Sequence, residues 1–194
     1  MSDTEPHNVE PNATEAAQRT RRWSTRKIAG TVVGLVLLVG VIAAGRWFFT
    51  CPCDRMPGAV LWGEVVEEPI SDWTFANQVE LCQIQVTGPI IPQALNLNCM
   101  ATAEGELYLS CSGCEPKRWS RLAIRNGDGR IRLDGLVYPV HFTHVTDPAE
   151  ADRSWEARLA KLENSTVLGG GTPVGTPRPP DAQWWTFRVE SRAN

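Results

Sequence analysis

The sequence predicts a mainly β domain of the α+β kind, carried behind one apolar helix long enough to cross a membrane. Three observations predict it. Asp134-Gly135 stands between two alternating runs, and Asp-Gly as a two-residue loop is the signature of a type I′ hairpin. Near the C-terminus, Trp185, Phe187 and Val189 alternate with Thr186, Arg188 and Glu190, the period of a strand. Ile28 to Gly45 runs eighteen residues without a charge.

Residues 1–20 are polar, lack apolar periodicity and read as a disordered cytoplasmic tail. Residues 21–49 hold a basic flank (Arg21, Arg22, Arg26, Lys27), the uncharged run and a closing Arg46-Trp47-Phe48-Phe49. Eighteen residues at helical rise span about 27 Å, and the aromatic end extends this toward a bilayer core of about 30 Å. A cleaved signal peptide would have a shorter apolar region, although Ala43-Ala44-Gly45 imitates a cleavage site. The reading adopted is an uncleaved signal-anchor in the plasma (inner) membrane. The preceding basic residues keep the N-terminus cytoplasmic, and the chain beyond residue 50 is exported. Gly30 and Gly34 form a G-x-x-x-G pair of the kind that packs helix dimers.

Residues 50–57 make a cysteine-containing juxtamembrane linker, and residues 58–194 the exported domain. All six cysteines (Cys51, Cys53, Cys82, Cys99, Cys111, Cys114) follow the apolar run, as disulfides in an oxidising compartment require. Val79–Val86 and Leu95–Ala101 read as strands around the bend Gly88 to Pro92, which sets Cys82 across from Cys99. For Cys51-Pro-Cys53 and Cys111-Ser-Gly-Cys114 three readings stay open: structural disulfides, a redox dithiol, or four thiolates holding zinc.

Within the domain, residues 58–66 read as a first strand. Residues 70–78 read as a short helical turn capped by Ser71 or Asp72, and Leu107–Ser110 as a short strand. Pro116–Arg125 carries Trp119, Leu122 and Ala123 at helical spacing. In the hairpin that follows, Leu133 should pair with Leu136 and Ile131 with Tyr138. Those four share a face with Val140 and Phe142, opposite Arg130, Arg132, Val137 and His141. Asp147-Pro148-Ala149-Glu150 is a capping-box helix start, with Trp155, Leu159 and Leu162 on the apolar side. Gly169-Gly170-Gly171 ends that region, a proline-rich loop follows, and residues 181–192 form the last strand.

Beyond residue 50 there are 13 Lys and Arg against 18 Asp and Glu, a net of −5, which argues against nucleic-acid binding. Yet Lys117, Arg118, Arg121, Arg125, Arg130 and Arg132 fall within sixteen residues, with Asp128 the only acid among them. A solvated face and a local phosphate site are the two readings of that cluster. His141 and His144 fall on opposite faces of a strand and make no metal pair. No H-E-x-x-H, G-x-S-x-G or Walker loop occurs, and catalytic residues are not identifiable.

The order DWTFANQVEL, a Gly-Pro bend, GELYLS, KRWSRLAIRNGDGRIRLDGLVYPV and HVTDPAE, over about residues 58–190, resembles the split β-barrel proteins. These are the pyridoxamine-phosphate-oxidase-like and deazaflavin-dependent nitroreductase-like group. The resemblance implies an antiparallel split barrel with one or two short helices, prone to homodimerise, binding FMN, F420 or sometimes haem at the dimer seam. It carries the cofactor phosphate to Ser110, Lys117 and Arg118, with Trp119 beside them. Three features depart from the group's pattern, the first being an exported, tethered domain where most such enzymes are cytosolic. Cys111-Ser-Gly-Cys114 occupies the loop where a cofactor would approach, and no R-x-S-G-like phosphate segment stands in the first hairpin. The expectation is therefore a non-catalytic interaction or assembly module of the cell envelope with an envelope protein partner. A flavin-binding oxidoreductase-like protein is the alternative, and a thiol–disulfide or metal role through the cysteine pairs the second alternative.

Overall fold

The computed structural model describes residues 13–53, 56–163 and 175–193, with side chains from residue 27 onward. The first element, α1 (Ala13–Thr50), begins inside the stretch expected to be an irregular tail. Residues 1–12 lie outside the described residues, as does the Gly169–Gly171 segment. Within Lys27–Thr50 an 18-residue window has a mean hydropathy of 2.5, and the helix is long and apolar enough to cross a bilayer. Residues 1–45 and 46–194 form two separate compact units.

The second unit is an antiparallel sheet curled into a ring. Its strands are β1 (Glu64–Val65), β2 (Cys82–Val86), β3 (Gln93–Leu97), β4 (Cys99–Ala101), β5 (Leu107–Ser112), β6 (Asp128–Leu133), β7 (Leu136–His144) and β8 (Trp184–Ser191). The order is β3-β2-β6-β7-β8-β5-β4, and every pair along it is antiparallel. Because β3 and β4 are separated only by Asn98, they form one bent strand. Its first half pairs with β2 and its second with β5, and this joins the two ends of the order. The architecture fits a split barrel.

The hairpin pairs as expected, Leu133 with Leu136 and Ile131 with Tyr138. Asp134 and Gly135 both adopt positive φ (48° and 84°), which a type I′ turn demands. Inward-facing residues alternate along each strand: Ile84 and Val86, Leu107 and Leu109, Ile131 and Leu133, Val140 and Phe142, Phe187 and Val189. Each such side chain contributes roughly 1.5–3 kcal/mol on burial. The turn at Thr74–Gln78 is a 3-10 helix, with Asp72 Oδ1 accepting from Thr74 N (2.9 Å). It brings Trp73 and Phe75 against Tyr138 at ring distances of 5.2 and 6.0 Å.

Three expectations are corrected. The strand over residues 58–66 shrinks to Glu64–Val65, which pairs parallel with β7, while Gly58 bridges to Ala94. That segment lies on the outer side of the ring and covers Val137, which the hairpin turns outward. Cys82 stands opposite Leu97, not Cys99, because the bend sits one residue earlier than assumed. The bridge to Cys99 is diagonal, with Cα atoms 5.7 Å apart. The capping box is half formed. Asp147 Oδ2 accepts from Glu150 N (2.9 Å), but the Glu150 carboxylate turns to Arg188 (3.0 Å) and Tyr108 (3.2 Å). The helix itself, α3 (Pro148–Glu163), begins where the sequence places it and lies over the outer side of β4.

Candidate functional site

The basic cluster is organised by α2 (Arg118–Asn126), which follows β5 after the Cys111–Cys114 loop. Trp119 and Ala123, one turn apart, enter the core, and Leu122 packs beside them. Arg118, Arg121 and Arg125 are left on the exposed side. Ser120 Oγ donates to the carbonyls of Cys114 (2.6 Å) and Lys117 (2.8 Å), which ties the helix start to the loop. The helix stops at Gly127, which adopts φ 73°. A Cβ there would lie 2.2 Å from the His141 ring, so no larger residue fits.

The four residues that the resemblance nominates for a cofactor phosphate go to different places. Lys117 Nζ donates to the Ser112 carbonyl (2.7 Å) and lies 3.5 Å from Cys111 Sγ. Arg118 reaches across to the β2–β3 loop and donates to the Ile91 carbonyl (3.0 Å) and Gln93 Oε1 (3.3 Å). Trp119 is buried against Phe187 at 5.2 Å, and its indole nitrogen meets no acceptor among the described residues. Ser110 points to the outer side of β5, where Arg158 Nη1 donates to its hydroxyl (3.3 Å). Lys117 and Arg118 are thus neighbours at the mouth of α2, Trp119 is inside the ring, and Ser110 is outside it. The clefts of about 390–430 Å³ on this unit are lined by other residues: by Trp73, Glu106 and Arg188, by Asp128, Arg130 and Arg192, and by Gln83 and Arg132.

A polar layer lies between α3 and the ring, and its residues carry no motif in the sequence. The Arg158 guanidinium carbon lies 5.8 Å from the Trp155 ring and 4.9 Å from that of Trp184, and burial lowers its pKa. Lys161, one turn on and buried, donates to the carbonyls of Cys99 (2.7 Å) and Ala76 (3.0 Å) and lies 3.7 Å from Cys99 Sγ. Burial, with Arg158 nearby, lowers its pKa to about 8. Ser154 and Thr186 share a hydrogen bond (3.2 Å) in the same layer. One signal was available. Ala151, Trp155, Arg158 and Leu162 fall on a single helical stripe, which places a cation on the apolar side.

The six cysteines pair as Cys51–Cys53, Cys82–Cys99 and Cys111–Cys114. Cys111 and Cys114 are both buried, and the strand–loop–helix that holds them leads into an antiparallel hairpin rather than a βαβ unit. Among the described residues no group of three or more His, Cys, Asp or Glu could hold a metal ion. His141 hydrogen-bonds Asp128 (3.1 Å), whereas the His144 ring lies tilted against that of Trp185 (4.9 Å), on the opposite face.

No protein-family model matches the chain, and no curated protein does. Solved structures do. A pyridoxamine 5'-phosphate oxidase homologue from Listeria innocua aligns at TM-score 0.44 and 10% identity, over 60% of this chain and 87% of that one. A 5-nitroimidazole antibiotic resistance protein from Bacteroides thetaiotaomicron aligns at TM-score 0.45 and 12% identity, over 64% and 82%. A FAD-binding protein from Mycobacterium smegmatis aligns at TM-score 0.39 and 14% identity, over 64% and 91%. These neighbours belong to the group that the sequence resembles. At such scores they carry no conclusion about what this chain binds.

Proposed function

We propose that this chain is a membrane-tethered, exported domain whose barrel serves as an interaction or assembly module of the envelope rather than as a catalyst. One observation carries the reading. The cationic groups best placed for a cofactor phosphate, Lys117 and Arg118, are engaged by carbonyls of their own chain. With Ser110 held by Arg158 and Trp119 in the core, the four do not form one phosphate cradle within a single copy.

The experiment is an absorption spectrum of the full chain, purified in detergent from an oxidising compartment and repeated after addition of FMN, F420 or haem. The expected result is a colourless protein that retains none of them. The second reading is a flavin-type cofactor held where two copies meet, serving oxidoreductase chemistry. It is supported by the resemblance in sequence, which implies such a cofactor at a dimer seam. A bound flavin or deazaflavin band would establish it. Paired Lys117→Ala and Arg118→Ala substitutions would then remove the band if those residues hold the phosphate. The N-in, exported orientation follows from the basic flank Arg21, Arg22, Arg26 and Lys27. Protease added to spheroplasts, whose plasma membrane is exposed and intact, should cleave the domain and leave residues 1–20 untouched.

A further inference from the structure

The loop between β2 and β3 and the outer side of α2 form one surface. Ile90 is 90% exposed, the highest value among the described large apolar residues, and Ile91 is 49% exposed. Pro89 and Pro92 bracket the two and restrict the loop. Arg118 fastens the loop to the first turn of α2 through the Ile91 carbonyl. From Arg118 the same helix face continues through Arg121 to Arg125, with the half-exposed Ile124 alongside. The ion pairs among the described residues involve other cations, and Glu115 is the acidic residue that precedes this face.

We propose that this surface docks on an anionic phospholipid bilayer. Ile90 and Ile91 enter the acyl boundary, Arg121 and Arg125 face the phosphate headgroups, and Arg118 holds the loop against the helix. A protruding apolar tip rimmed by cations is the chemistry that peripheral elements use at such surfaces, since each half of the lipid interface meets its complement. Chain connectivity brings the loop within reach. Gly58 exchanges both main-chain hydrogen bonds with Ala94 (2.7 and 2.9 Å). Gly58 lies eight residues beyond the end of α1, and Ala94 four residues beyond Ile90. Twelve extended residues span at most about 42 Å. The source of the bilayer rests on the tether proposed above.

The test is amide hydrogen exchange on the full chain in lipid nanodiscs, read at Gly88, Ile90 and Ile91. Exchange should be slower in discs containing phosphatidylglycerol than in discs of phosphatidylcholine alone. Ile90→Ser with Ile91→Ser should remove the difference. Arg121→Glu and Arg125→Glu should each weaken it by about fivefold or more, since a basic residue near an anionic surface contributes roughly that factor. Equal exchange in the two kinds of disc would overturn the proposal. So would slowing that appears equally in lipid-free detergent, which marks a protein contact instead. Entry into the discs reports separately on the tether. If the chain stays outside them, the tether reading fails, and the same exchange measured against added phosphatidylglycerol vesicles decides the docking surface alone.

Discussion

The two sides of the barrel wall solve burial in different ways. Along β5, Leu107, Leu109 and Cys111 face inward against Val189, Phe187 and Trp185, in a core that is almost wholly apolar. Tyr108 and Ser110, between them, face outward and are buried just as fully. Tyr108 lies between the carboxylates of Glu106 (3.1 Å) and Glu150 (3.2 Å), while Ser110 accepts from Arg158. The inside is held by area removed from water, the outside mainly by hydrogen bonds between polar groups, with Arg158 Nε left without an acceptor among the described residues. The difference teaches that burial alone does not name the force: on the inside volume matters, and on the outside the matching of donors to acceptors.

Five variants would sharpen or break that contrast. Phe187→Ala should cost the most, about 3–5 kcal/mol in denaturant unfolding, because it opens a cavity between Trp119 and His144. A smaller loss there would mean the interior collapses more readily than its packing implies. Removing the Cys82–Cys99 bridge by Ala at both positions should cost about 3 kcal/mol, against about 2 for Cys111–Cys114, since the larger loop constrains more of the unfolded chain. Equal losses would argue against the chain-entropy account.

On the outer side, Lys161→Met should cost about 1–3 kcal/mol by stranding the carbonyls of Ala76 and Cys99. Its pH signature is directional. With a folded pKa lowered to about 8 from 10.5, the unfolded chain holds more protons between those values, so the wild type gains stability relative to Lys161→Met as pH rises through that window. Urea titrations at pH 7.5 and 10 measure both effects, and a constant gap would place the amine in a more solvated setting. Thr186→Val, beside Phe187 but on the outer side, should cost only about 1 kcal/mol or less, since Ser154 keeps its bond to the Ala151 carbonyl. A loss as large as that of Phe187→Ala would erase the contrast between the two sides.

The same contrast explains what the sequence disclosed. The β6–β7 hairpin was legible to the residue because its turn chemistry and alternation agree, and the Asp147 cap set the start of α3. The extent of β5 was harder to read, because both of its sides are buried and exposure carries no alternation along it. Residues 58–66 look like a strand because they are apolar, yet they use that character to cover the outside of β7. Arg158 and Lys161 are not legible as buried groups because charges on a helix are ordinarily solvent-facing. Their use depends on Trp184 and Cys99, far away in sequence. The nominated residues Ser110 and Trp119 are close along the chain, but the strand's alternation and the helix's turn send them to opposite sides of the wall.

The position of β8 has a consequence for how the molecule comes into being. It pairs with β5 on one side and β7 on the other, and its register joins Leu107 to Val189 across more than seventy intervening residues. Until β8 has been made, β5 and β7 each present an unsatisfied edge, and the ring remains an open ribbon. The β2–β3 and β6–β7 hairpins can form as they emerge, but closure waits for the most distant pairing and should limit the folding rate. During that wait the open edges of β5 and β7 are the places where one nascent copy could capture another.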